Sequence, residues 1–362
     1  QAQRVRPNSQ IPTFRGSGAV VPDAMPAEID ASAPATSEEP AKRSRGTVPS
    51  VRLNTGASIP VVGLGTWKSK PGEVQDAVKA ALACGYRHLD CAAIYGNEAE
   101  VGEGLRQSGV PRDDVFITSK LWNSRHAAAD VEPACRESLT KLGIDYIDLY
   151  LVHWPVSLRQ GHAMPPAAND FVDVPMEETW RAMEALVDKG LCKAIGLSNF
   201  SVKRMDEVLG FAKIKPAMNQ IEAHPYLQQP GLKEFCDKHG ILVTAYGPLG
   251  SPDRPAQVFD ESDPILLEDE VLAGIAKKAD RTPAEVLLRW AVQRGTNVIP
   301  KSVTASRIQQ NLSAACTPLP DEAMDELGKM DRHLRLFKGT LWTPEGTTGP
   351  IKDAKADLWD DA

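Results

Sequence analysis

The chain has no long hydrophobic run, no paired cysteines and no glycine fingerprint, and each absence removes a class of function. No apolar stretch approaches the ~18 residues that a membrane-crossing helix needs, so no membrane association is expected. The six cysteines, at 84, 91, 135, 192, 236 and 316, show neither CxxC nor CxxH spacing. A zinc site or disulfide framework would cluster them, so no metal is expected and each reads as a small core residue in a reducing compartment. There is no GxGxxG at a strand-to-helix turn, no Walker loop, no HExxH and no GxSxG. Gly102 and Gly104 in VGEGLRQ lack a third glycine and fall inside a helical pattern, which makes them helix-packing residues. Lys and Arg number 41 against 48 Asp and Glu, a net charge of −7, and no basic stripe offers a nucleic-acid surface.

The 362 residues are 42% hydrophobic and 25% charged, enough for one large barrel or two smaller domains. Residues 1–50 stand apart: rich in Ala, Pro, Ser and Arg, they show neither helical nor strand period and read as a disordered extension. Acidic residues are missing before Asp23 while Arg4, Arg6 and Arg15 are present, as in an organellar transit remnant. Two placements stay open, a plastid if that reading holds and the cytoplasm if the segment is a plain tail. The missing initiator Met is read as processing or a partial sequence.

From residue 51 the pattern changes. VRLNTGASIPVVGLGTW reads as a β-hairpin followed by a strand. Strands are expected near 61–65, 87–90, 115–119, 147–152, 194–197, 217–220, 241–245 and 297–299. Helical stretches such as EVQDAVKAALACG and DVEPACRESLTKLG fill the gaps, several finishing in Gly. Eight strand–helix alternations over 51–362 predict an α/β protein, a (β/α)8 TIM barrel with an N-terminal β-hairpin and long substrate loops.

Nearly every expected strand ends in polar residues. Asp90 and Tyr95 follow one, Lys120 another, His153 a third, and in such barrels those ends share one face. Taken singly, these are as readily a core tyrosine, a surface lysine and a satisfied buried histidine. On three adjacent strand ends they suggest a phenol tuned to act as an acid. A nearby ammonium lowers a phenol's pKa from about 10, and a carboxylate holds that ammonium in place. Such a tyrosine protonates the alkoxide formed when hydride reaches a carbonyl, with His153 orienting the carbonyl or sharing the proton. Further along, VIPKSVTASRIQQN runs from a strand into a helix. Ser302, Thr304 and the helix N-terminus suit a phosphate, with Lys301 and Arg307 adding charge. An N-capped helix with a solvated basic face is the plainer alternative.

GLGTW, LDCAAIYGNE, TSKLW, LVHWP, GLSNF, NQIEAHP, YGPLGS and IPKSVTASRIQQN occur in this order across 51–362, and in them the chain resembles the aldo-keto reductases. HPYLQQPGLKEFC and the tail LFKGT…GP…DLW further resemble the plant-type aldose/aldehyde reductase branch. The resemblance implies reduction of aldehydes and some ketones by NADPH, on a monomer whose partner is a small carbonyl compound. It implies a catalytic tetrad of Asp90, Tyr95, Lys120 and His153, with Tyr95 the proton donor. Ser198, Asn199 and Gln220 would hold the nicotinamide carboxamide, and Tyr246 would stack on its ring. Leu249, Ser251 and Val303 would line the cofactor. Lys301, Ser302, Thr304 and Arg307 would grip the adenosine 2′-phosphate, with Gln310 and Asn311 beside the adenine. Gly65, Thr66 and Trp67 would form the inner pocket, and Trp67, Trp122, His153 and Trp154 its substrate walls.

The chain departs from that pattern in three places. Gln310 stands where Glu is frequent, Gly247 where Ser is frequent, and the last cysteine is Cys316, so the C-terminal loop carries no thiol. Three rivals fit less well. A short-chain dehydrogenase needs a Tyr with Lys four residues on, which is missing. A Schiff-base aldolase using Lys120 would have no need of the Lys301–Arg307 grip. A non-catalytic cofactor-sensing barrel would have no need of the tetrad. Loops near 155–175 and 250–266, together with the C-terminal tail, are expected to form the lid.

Overall fold

A computed structural model describes residues 48–255, 258, 260–346 and 354–359. The segment expected to be disordered lies, up to residue 47, outside the described residues. The predicted hairpin forms from β1 (Ser50–Arg52) and β2 (Ser58–Pro60), paired antiparallel. Eight parallel strands follow: β3 (Leu64–Gly65), β4 (His88–Asp90), β5 (Phe116–Leu121), β6 (Ile147–Val152), β7 (Cys192–Ser198), β8 (Met218–Glu222), β9 (Leu242–Tyr246) and β10 (Asn297–Val298). They are neighbours in chain order, and parallel bridges Val62–Val298 and Gly65–Lys301 join the first to the last. That seam is tight, since a Cβ on Gly65 would sit 2.6 Å from the carbonyl oxygen of Ile299.

Helices α1 (Glu73–Cys84), α2 (Glu98–Ser108), α3 (Ala128–Leu142), α4 (Met176–Asp188), α5 (Val202–Phe211), α6 (Pro230–His239), α7 (Glu270–Lys278), α8 (Pro283–Gln293), α9 (Ala305–Ala314) and α10 (Asp321–Gly328) complete the described part. Among the described residues no helix is long and apolar enough to cross a membrane. Gly85 and Gly143 end α1 and α3 with positive φ, the backbone that an L side chain resists.

Strand alternation sorts the residues into two sets. Leu89, Ile117, Tyr150, Ile195, Ile221 and Val243 face outward into the large core under the helices. Phe116, Leu149, Leu151, Ala194 and Met218 face inward, where Leu53 and Ile59 of the hairpin join them and plug the N-terminal mouth. Two to four residues further along each inward row, the apolar residues give way to polar ones. The barrel floor is therefore greasy and its opposite end polar.

Gly102 and Gly104 have the packing role expected of them. A Cβ at Gly102 would run into the Leu142 carbonyl, and one at Gly104 would lie 2.7 Å from the Gln75 carbonyl oxygen. Gly102→Ala should therefore lower stability by about 1–3 kcal/mol, as overpacking does. A urea midpoint that does not move would show that α2 and α3 have room to part.

The cysteines depart from expectation at one site. Cys91, Cys135, Cys192 and Cys236 are buried and Cys84 is half-buried, but Cys316 is exposed just past the end of α9. Its helix offers the core only the stripe containing Ile308 and Leu312, and residue 316 falls beyond it.

Candidate active site

The inward rows deliver the expected residues to one end of the barrel. Asp90 follows His88 on β4, Lys120 follows Thr118 on β5, and His153 follows Leu151 at the end of β6. Ser198 closes the inward row of β7 and Tyr246 that of β9, while Gln220 lies on the inward row of β8, one place before its end. Lys120 lies within β5 and not at its end, so its long side chain stays inside the barrel, fully buried.

At the centre, Lys120 Nζ donates to Asp90 Oδ1 at 2.6 Å and to the Cys91 carbonyl at 2.9 Å. Gln220 Nε2 donates to the other carboxylate oxygen at 2.7 Å. Burial works against the ammonium, but Asp90, Tyr95 and Cys91 together outweigh it and hold the Lys120 pKa above the ordinary lysine value. The ion pair is thus complete and dry. Thr66 Oγ1 and its N–H both reach the Asp90 carbonyl, at 2.8 and 3.2 Å, fixing the strand end itself.

Tyr95 sits on the short 3₁₀ turn Ala93–Tyr95 after β4, with Lys120 Nζ 5.2 Å from its ring centre. The expectation that the ammonium lowers its pKa overall is corrected here. Burial pushes the phenol up, Lys120 pulls it down by charge and hydrogen bond, and the net is upward, to about 12. Desolvation of the anion outweighs the attraction of the nearby Lys120. The phenol keeps its proton at rest, the form a proton donor needs.

His153 is buried edge-on to Tyr95 and Trp122, at ring separations of 5.9 and 5.3 Å. Burial, helped by the Lys120 charge, holds its pKa well below the ordinary histidine value. The ring is neutral and has one N–H to give to an oxygen.

Beside this group lies a polar shelf. Asn199, in the left-handed region at φ 64°, donates from Nδ2 to the His153 carbonyl at 2.9 Å and accepts from the Tyr246 hydroxyl at 2.7 Å. Ser198 Oγ donates to the Gln220 carbonyl at 2.9 Å. Burial and the neighbouring Glu222 raise the Tyr246 pKa well above its usual value, so this phenol too stays neutral. The glycine at 247 has a local reason: φ is +58°, and a Cβ there would lie 2.9 Å from Ser251 Oγ. Leu249 packs half-buried on the outer core, and Ser251 accepts from the Arg254 N–H at 3.1 Å.

Across the seam, Lys301 pairs with Gly65, bringing the basic segment beside the inner pocket residues Thr66 and Trp67. Thr304 precedes α9 without capping it, so the first N–H groups of that helix have no side-chain partner from it. Val303, Thr304, Arg307 and Gln310 are exposed, Lys301 and Ser302 half-buried, and Asn311 buried. Neither Lys301 nor Arg307 makes an ion pair among the described residues. Uncommitted N–H groups beside two uncommitted cations fit a phosphate. Lys68 reaches over to Asp253 at 3.5 Å, tying the β3 turn to the 250–266 loop.

The lid is more aromatic than the sequence suggested. Trp122 and Trp154 meet Trp342 at 5.9 and 5.2 Å, and Trp154 also meets Trp359 at 5.7 Å. Phe337 packs against both Trp67, at 5.7 Å, and Tyr246, at 5.5 Å. Phe337, Trp342 and Trp359 belong to the tail expected in the lid, but the tail has no period that singles them out in the sequence. Glu222, also without a role in the sequence-based expectations, is marked as facing inward by its place two residues after Gln220.

The sequence profile of the aldo/keto reductase family matches residues 61–332. Aldo-keto reductase family 1 member A1-A of Danio rerio is 49% identical over 321 residues, covering 86% of this chain and 95% of that protein. An aldo/keto reductase of Synechocystis is 48% identical, covering 85% and 95%. Among solved structures, the aldose reductase from Schistosoma japonicum superposes with a TM-score of 0.76 at 42% identity, covering 84% of this chain and 99% of that one.

Proposed function

The chain belongs to the aldo/keto reductase family, and from that premise we propose that it reduces aldehydes, aldoses among them, and some ketones to alcohols with NADPH. The observation that carries the reading is the Asp90–Lys120 pair set beneath a protonated Tyr95 and a neutral His153. NADPH supplies the hydride. Ser198, Asn199 and Gln220 would orient its carboxamide and Tyr246 would back its ring. Lys301, Ser302, Thr304 and Arg307 would take its 2′-phosphate, Leu249, Ser251 and Val303 would line its course, and Gln310 and Asn311 would hold the adenine.

The chain's own part is positioning and proton transfer. The His153 N–H holds the carbonyl oxygen, and Tyr95 gives that oxygen its proton as negative charge develops there. Lys120 then faces a phenolate, and its charge, fixed by Asp90, stabilises that anion. Gly65, Thr66, Trp67, Trp122 and Trp154 shape the pocket and exclude water. Such a reaction needs one copy of the chain and a small-molecule partner, in the cytoplasm if residues 1–50 are a plain tail and in a plastid if they are a transit remnant.

Loss of reduced-nicotinamide absorbance with a panel of aldehydes, sugars and ketones tests the activity. Turnover is expected with at least the simple aldehydes, and none with any of them would overturn the reading. Arg307→Ala tests the cofactor. NADPH should bind roughly 10-fold more weakly, the lower end for a charge-assisted bond because the site is exposed and screened, while NADH changes little. Equal weakening of both in fluorescence titrations would mean that Arg307 supports α9 and not the phosphate.

A further inference from the structure

One buried acid at the polar end of the barrel takes no part in the proton transfer. Glu222 ends β8 on the inward row, two residues past Gln220, and is 1% exposed. Its carboxylate is spent on the far end of the chain. Oε1 accepts the Leu336 N–H at 2.9 Å and Oε2 accepts the Phe337 N–H at 3.0 Å. His224 Nε2 lies 2.9 Å from Oε1, and Gln229 Nε2 donates to the Glu222 carbonyl at 2.6 Å. Burial alone would raise the carboxyl's pKa, but His224, Arg335 and the Phe337 N–H bring it below the ordinary value, so the acid stays ionised. Just upstream, the N–H groups of Arg332 and Leu334 both donate to the Tyr226 carbonyl, at 3.1 and 2.9 Å. The tail thus arrives fixed and is fixed again where its aromatic side chain enters the site.

The residue so held is Phe337, which touches a wall of the carbonyl pocket, Trp67, and the ring that backs the nicotinamide, Tyr246. We propose that Glu222 is a positioning residue that sets how deeply Phe337 enters the pocket and so selects for small carbonyl substrates over bulky ones. A carboxylate suits this task because both oxygens accept, and two consecutive N–H groups demand two acceptors. An amide at this position offers one acceptor and turns an NH2 group towards the second N–H. The inference rests on the carbonyl-reductase reading given above.

The test compares propanal with naphthaldehyde, using NADPH and the full chain. Glu222→Gln should raise KM for propanal about 10-fold, the loss of one hydrogen bond to a charged group. KM for naphthaldehyde should stay level or fall, with kcat for both within a few-fold of the parent. Phe337→Ala should shift the preference the same way, and the double variant should match Phe337→Ala alone, since one residue acts through the other. An unchanged ratio in Glu222→Gln, or an equal kcat loss with both aldehydes, overturns the inference and leaves the reductase reading intact. Should Glu222→Gln not fold, Phe337→Ala decides alone, and the parent's ratio in that variant overturns the proposal. A parent that reduces neither aldehyde overturns the reductase reading, and this inference with it.

Discussion

Tyr95→Phe should lower kcat by roughly 10²- to 10⁴-fold, the usual worth of a positioned general acid. That is about 3–5 kcal/mol of barrel-derived assistance to the transition state. The substitution removes one oxygen and keeps the ring, so the packing with Trp67 at 6.4 Å and His153 at 5.9 Å survives. NADPH affinity by fluorescence quenching and the thermal midpoint should both stay near the parent's. The split between collapsed turnover and intact binding identifies a proton donor. Activity within a few-fold of the parent would move that role to another donor, His153 first, whose neutral ring has an N–H to give.

Lys120→Met should damage both stability and turnover, and in this it differs from Tyr95→Phe. Methionine matches lysine in length and fills the space, so the cost is electrostatic and not a cavity. Lys120 is 0% exposed and Asp90 2%, and removing the cation strands a buried carboxylate with Gln220 as its remaining side-chain partner. Breaking such a pair costs about 3–5 kcal/mol, which for a chain of this size lowers the midpoint by roughly 5–10 °C. Turnover should fall at least as far as in Tyr95→Phe, because the phenolate formed on proton transfer loses the Lys120 cation that faces it. Asp90→Asn added to Lys120→Met should recover much of the stability, since a neutral pair leaves no stranded charge, but none of the rate. Recovery of rate together with stability would show the pair to be a structural fastener alone.

Much of the site could be read from the sequence because strand period does two jobs at once. The alternation that buries Leu89 and Ile117 outward aims Asp90 and Lys120 inward, and apolar runs that end in polar residues mark the open end of the barrel. The same rule applied one step further along β8 would have found Glu222. The Tyr95 pKa could not be read that way. Lys120 is visible in the sequence, but the desolvation opposing it depends on burial contributed by distant segments. Phe337, Trp342 and Trp359 were hidden for a related reason. They lie in a tail with no regular period, and their partners Trp67, Trp122 and Trp154 are far away in the chain.

The Gly65–Lys301 bridge gives the molecule a particular dependence on its own completion. The first and last strands meet beside the inner pocket, and the basic segment that fits a phosphate begins at the same seam. The joining contact is among the longest-range in the chain, and contacts of that span are slow to form because the intervening loop must first be closed. Pairing of neighbouring strands is therefore expected to precede closure of this seam. The segment that fits a phosphate would then be completed together with the ring itself.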